Sequence, residues 1–253
     1  MRLLNDSTEA LELSADSMNE LKEDDGAFDD FIYNFTSDHS MQLRRIKFPL
    51  HVTDGDKHSV IDKKEWEHEN LFANEEYYTL IYDREEDMDL GDDMTTTSAS
   101  FEWIYPATNT RKQYLFGREN GIWMLDSIRI QSIKDEVTAD FMSFYNKFAT
   151  DTLYQASHIS PHLMFVTTDP DDDFSVIETT LDLNQWFAFS PTMPTDKLSN
   201  ICYGSAATNE TSQPTGKKIL MLKGMGNGFS NVFYFKTRSK GGWELYKFED
   251  VGI

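Results

Sequence analysis

From Phe28 onward the apolar positions fall three and four residues apart, at Phe28, Phe31 and Phe35, and Asp38 and Gln42 continue the stripe. That spacing predicts one helix face, with an acid and an amide at its end if the helix runs on. The stripe returns as Phe141, Phe144, Phe148, Asp151 and Gln155, every pair 113 residues apart. Met41, Ile46 and Leu50 are matched in the same register by Tyr154, Ile159 and Leu163. Further on, Trp66, Gly121, Trp123 and Leu125 pair with Trp186, Gly241, Trp243 and Leu245 at an offset of 120. A net insertion of seven residues therefore separates the two blocks, and the acidic run 169–173 is where it is expected. Tryptophan is scarce, so two Trp pairs at one offset point to a duplicated unit.

Each copy orders its elements alike. The helical stripe leads into a loop-rich middle carrying the first Trp, and aromatic strands follow. In the first copy 76–83 is a strand candidate, and Phe101, Trp103 and Tyr105 alternate against Glu102 and Ile104. Segments 112–116 and 122–130 flank a hairpin turn at 118–121. Segments 218–223, 231–237 and 243–248, with a turn at 239–242, are the second copy's equivalents. Helices first and antiparallel hairpins afterwards predict an α+β class, with helices packed on one face of a sheet. The expected divisions are an acidic segment 1–25 and two domains, 26–133 and 134–253. Leu11, Leu13, Met18 and Leu21 give the acidic segment a weak amphipathic helix at most, and 83–94 reads as a charged loop. The junction 133–140 has neither Pro nor Gly, so the copies are expected to pack together.

Composition adds constraints. Eighteen Phe, 11 Tyr and 5 Trp among 253 residues suffice for real cores. Forty-four acidic against 23 basic residues leave a net charge of -21, which repels phosphate backbones and anionic membrane surfaces. Nucleic acid is accordingly not expected as a partner; a cationic ligand, or solubility alone, fits better. A single cysteine, Cys202, permits neither an internal disulfide nor a cysteine zinc site. No segment is long and apolar enough to span a membrane, and 1–25 does not resemble a signal peptide. If the protein is exported, its targeting segment precedes this numbering.

The Phe-rich first helix, the run Gln42-x-x-Arg45-Ile46-x-Phe48-Pro49-Leu50 and the terminal aromatic hairpins resemble an uncharacterised bacterial family. That family lies in the nuclear transport factor 2-like superfamily and occurs mainly in Bacteroidetes. The resemblance covers nearly all of the chain beyond residue 25. The second copy departs from the run, reading Gln155-x-x-His158-Ile159-x-Pro161-His162-Leu163. The resemblance implies two tandem cystatin-like cones, each a curved antiparallel sheet closed by helices, with a pocket at the wide end. It also implies export to the periplasm or cell surface. It carries no catalytic residue, and the superfold hosts enzymes, binding proteins and assembly modules alike.

Asp38 with Gln42, and Asp151 with Gln155, have two readings. They are polar groups on a pocket floor, orienting a ligand or abstracting a proton; or each Asp caps a second short helix and the Gln follows a turn later. Arg45, with Arg44 and Lys47, either binds an anion or answers the acidic surface. Trp66, Trp103, Tyr105 and Trp186 suit a pocket wall, against ordinary core packing. Trp123 and Trp243 read as core anchors.

Metal motifs fail. Asp169-x-Asp171-x-Asp173 imitates the start of a calcium loop, but Phe174 stands in place of Gly and Thr180 in place of Glu. Pro161 spoils a helical pairing of His158 with His162. Gly224-Met225-Gly226-Asn227-Gly228 lies between strands and reads as a turn, and Cys202 as a small buried hydrophobe. No cofactor is expected. The leading expectation is a non-enzymatic module binding a small molecule, glycan or protein in or beside a cone. The rival is an isomerase- or hydratase-like enzyme with an inward Asp as base. A third reading has both pockets filled by Phe and Trp, the partner surface on a sheet face and a dimer formed there.

Overall fold

The structure is a computed structural model, and it describes residues 24–72, 76–134, 136–204 and 215–252. The weak helix expected in 1–25 falls almost wholly outside the described residues.

The Phe stripe does not run on as one helix. It breaks at Asp38 into α1 (Phe28–Ser37) and α2 (His39–Arg44), because Asp38 is extended and its carboxylate accepts the amides of Ser40 and Met41. Asp151 does the same between α3 (Glu136–Thr150) and α4 (Thr152–Ser157), accepting from Leu153 and Tyr154. The capping reading is the one observed. Asp38→Ala and Asp151→Ala should each cost about 1 kcal/mol in urea unfolding, and Asn should restore most of it.

Strands β1 (Ile46–Asp54), β2 (Lys57–Ile61), β3 (Tyr77–Tyr82), β4 (Ser98–Tyr105), β5 (Thr110–Glu119) and β6 (Ile122–Ser132) follow α2. After α4 come β7 (Ile159–Asp169), β8 (Asp172–Leu181), helix α5 (Leu183–Phe189), β9 (Leu198–Tyr203), β10 (Lys217–Gly224), β11 (Ser230–Thr237) and β12 (Trp243–Asp250). The same series thus occurs twice, with two differences from expectation. The charged 83–94 stretch holds a 3-10 helix, Glu85–Asp92, and the second copy's middle holds α5, opened by a capping box of Asp182 and Gln185. The β5–β6 turn uses Asn120 and Gly121 at positive φ, as a two-residue hairpin requires. The seven-residue insertion lies in the β7–β8 hairpin. Leu50 pairs with Ile61, 11 positions on, and Leu163 with Leu181, 18 positions on, a difference of seven.

Two six-stranded sheets form, in the orders β2-β1-β6-β5-β4-β9 and β3-β10-β11-β12-β7-β8. Within each, all pairings are antiparallel except one, β1 with β6 and β12 with β7. The third strand of each series completes the sheet of the other: β3 lies against β10, and β9 against β4. The two exchanged strands are sheet edges, and they meet. The Thr79 amide donates to Ser199 Oγ at 2.8 Å, and Thr79 Oγ1 donates to the Ser199 carbonyl at 2.6 Å. Ser199 Oγ donates in turn to the Thr79 carbonyl at 3.0 Å, and the Ile81 amide to Asn200 Oδ1 at 2.8 Å. Edge groups that would template another strand are thereby consumed. Thr79 and Ser199 are 120 residues apart, the offset of the Trp pairs. Because matched positions touch and the strand exchange is reciprocal, an approximate dyad passes between them.

Each sheet cups its own helices. Phe28 meets Trp123 edge-on at 5.0 Å and Phe35 meets Phe116 at 5.3 Å; Phe141 with Trp243 and Phe148 with Phe235 repeat these contacts at 5.1 and 5.5 Å. Two apolar cores result, and the exchange knits them: β9 lends Ile201 to the first, and β3 packs Tyr77 and Ile81 against the second.

Candidate functional site

The cone interiors are occupied. Phe28, Phe31, Phe35, Phe101 and Trp123 in the first, and Phe141, Phe148, Phe233, Trp186 and Trp243 in the second, are essentially without exposure. The Gln and Trp singled out in each copy find each other there. Trp66 Nε1 donates to Gln42 Oε1 at 3.1 Å, and Trp186 Nε1 donates to Gln155 Oε1 at 3.1 Å. Gln42 is further tied to Glu69, donating to its carbonyl at 2.7 Å and accepting its amide at 3.1 Å. Gln155 donates instead to the Phe148 carbonyl at 3.0 Å. Both amides act as fasteners between a short helix and the segment that carries the Trp.

Glu69 is a group that pattern reading missed. Its carboxylate accepts from Lys112 Nζ at 2.8 Å and from the Tyr114 hydroxyl at 2.5 Å. Burial first, and this carboxylate second, push the Tyr114 phenol far above its ordinary range; the same two causes raise Tyr105. Gln42, Lys112 and Tyr114 therefore converge on Glu69, and Trp66 joins the cluster through Gln42. At the offset of 120 the matching residue is Phe189, packed on Phe165 at 5.4 Å, so the second half has no counterpart of this carboxylate at that position. No helix periodicity or alternation marks Glu69, since it sits in irregular chain.

Arg45 is paired within the protein. Its guanidinium pairs with Asp25 at 2.7 Å, both side chains under 10% exposed, and Asp25 also accepts the Trp123 amide at 2.7 Å. Lys47 answers Asp126 and Glu119, which hold its ammonium above the ordinary range. Asp38 and Asp151 stay at the surface as caps. Asp169 spends its carboxylate on the Asp171 amide and the Ser175 hydroxyl, and His158 stacks on Tyr154 at 3.8 Å. Burial pushes the Cys202 thiol well up, and Asn200 donates to its sulfur at 3.2 Å. Tyr203 donates to Asp29; Tyr78, close by, is pushed up to about 12 by burial and by the Asp29 charge. Among the described residues no group of His, Cys, Asp and Glu is arranged to hold a metal ion, and no helix is long and apolar enough to cross a membrane.

A cleft of about 320 Å³ opens at the dyad, where the exchanged strands meet. Glu76, Tyr77 and Thr79 line one side; Asp196, Lys197 and Ser199, with Pro194 and Thr195, line the other. The first three stand 120 residues before Asp196, Lys197 and Ser199, so the walls are matched positions of the two copies. The Thr79–Ser199 bonds close its floor, and the buried Tyr145 hydroxyl pins the Pro194 carbonyl at 2.8 Å. The rim carries the exposed carboxylates of Glu76 and Asp196. Lys197 Nζ lies 3.7 Å over the ring of Trp103, close enough for a cation–π contact. Trp103 thus touches a residue of the cleft wall but, like Trp66 and Trp186, is not among the residues that line the cleft.

The chain is similar to a solved structure, an NTF2-like protein from Bacteroides fragilis NCTC 9343. The two share 52% identity over 91% of this chain and 98% of that one, with a TM-score of 0.83. No curated protein matches the chain. A family model described as a domain of unknown function (DUF4348) matches residues 5–250, and the chain belongs to that family, built on the nuclear transport factor 2-like fold expected from its Phe-rich helix and aromatic hairpins.

Proposed function

We propose that this is a non-enzymatic binding protein, made by duplication, that takes a small polar or cationic ligand in the cleft between its halves rather than inside either cone. The filling of both cones by buried Phe and Trp carries this reading, because among the described residues the dyad cleft is then a concave surface outside the cones with polar groups converging on it. Two rim carboxylates, in a chain of net charge -21, favour a ligand bearing an amine. The enzyme alternative called for an inward Asp as base, and both candidate Asp side chains are engaged by helix amides at the surface. Export to the periplasm or cell surface belongs to the same proposal and rests on family resemblance alone.

The test is a thermal-shift screen of amino acids, polyamines and mono- and disaccharides, with hits followed in amide NMR spectra. Shift changes should gather at residues 76–79 and 194–199. Lys197→Ala and Glu76→Gln should alter affinity at least several-fold with an unchanged melting temperature. Perturbations centred on Phe28, Phe31 and Phe35, or on Phe141, Phe144 and Phe148, would place the ligand inside a cone and overturn the proposal.

A further inference from the structure

The two sheets have four edge strands: β2 and β9 in one, β3 and β8 in the other. Three are protected. β3 and β9 consume each other's edge groups, and β2 is only five residues long and carries Lys57 and His58, the usual defences of an edge. Among the described residues, β8 has neither defence. It runs for ten residues, and its stretch 175–181 reads Ser-Val-Ile-Glu-Thr-Thr-Leu, β-branched with a single charge. Val176 is 55% and Ile177 40% exposed. Ile177 lies on the same face as Thr179, which pairs with Phe165, and Phe189 of α5 abuts Phe165 at 5.4 Å. An open backbone ladder thus stands beside apolar side chains that an incoming strand could cover.

Charge indicates the occupant. Asp171 and Asp172 lie at one end of β8 and Asp182 at the other. A second copy pairing antiparallel about Val176 and Ile177 would set Asp171 or Asp172 opposite Asp182 at both ends, between chains of net charge -21. Like charges directly opposed are destabilising. We propose that the free edge of β8 accepts an extended segment of a partner protein, apolar at alternate positions and bearing Lys or Arg at its ends. Backbone pairing supplies affinity in such strand addition, and alternate side chains supply specificity.

The probe is a fluorescein-labelled peptide, Lys-Val-Thr-Val-Thr-Val-Lys, followed by anisotropy and by amide NMR against the whole chain, with a Glu-ended counterpart. The Lys-ended peptide should bind saturably and perturb residues 175–181. Its binding should weaken at least tenfold with Ile177→Lys, with Thr179→Pro and with the Glu-ended peptide, and should not change with Lys197→Ala. Melting curves establish that each variant is folded, and Val176→Lys replaces any that is not. Absence of saturable binding, equal binding of both peptides, or sedimentation showing a dimer that Val176→Lys dissolves would each overturn the proposal; the last would make a second copy the occupant.

Discussion

Trp186→Ala should lower stability by about 3–5 kcal/mol, and both halves of the molecule should still unfold in one transition. The indole is fully buried, edge-on to Phe248 at 5.3 Å and to Phe233 at 6.3 Å. Truncation leaves a cavity in a dense core and strips Gln155 Oε1 of its donor. The damage cannot stay in the second half. β9 leaves that half to form the edge of the first sheet, and β3 makes the opposite journey, so neither sheet is complete without the other. Thr79 and Ser199 lock the exchange where the strands meet. Calorimetry and far-ultraviolet dichroism should therefore report a single, earlier transition with one midpoint. Two resolved transitions, with the first half melting where the parent protein melts, would show that the exchanged strands do not couple the halves.

Arg45→Met should cost about as much, roughly 3–5 kcal/mol, for a different reason. Arg45 and Asp25 form an ion pair removed from solvent, and Asp25 also receives the Trp123 amide. Removing the cation strands a carboxylate that burial makes expensive. Removing both charges should be far gentler, because an amide at position 25 can still accept from Trp123. Urea unfolding of Arg45→Met, Asp25→Asn and the double variant should find the double variant more stable than Arg45→Met alone. A double variant less stable than either single one would mean that the pair is held for packing rather than for charge. The Arg45 seen in sequence as a possible anion contact is thus a brace between the segment before α1 and the end of α2.

Much of this was legible in the chain. The Phe stripes predicted the helices that close each cone, and Ser37-Asp38 and Thr150-Asp151 carried cap chemistry that could be weighed against a pocket role. The alternation around Phe101 and Trp103 predicted the strand β4 but not its burial on both faces: Phe101 and Trp103 enter the first core, Ile104 enters the second, and Glu102 is buried too. The offsets of 113 and 120 located the longer hairpin before any strand pairing was known. Glu69 was not legible, because its role comes from Gln42, Lys112 and Tyr114 arriving from three other segments. Helix α5 was missed because the loop-rich character of the first copy's middle was carried over to the second, where Asp182 and Gln185 form a capping box.

The sequence by itself determined the class and order of the Phe-rich helices and the aromatic strands, and the fact that this order is repeated, since helix faces, caps and turns depend on neighbours a few residues away. Only the tertiary structure decided that β3 and β9 trade sheets, that the dyad runs through Thr79 and Ser199, and that a cleft opens there. The reason is physical: a strand's alternation states which face is apolar and is indifferent to which of two similar edges completes its hydrogen bonds. That choice is made between residues more than a hundred positions apart, by the packing of both cores at once.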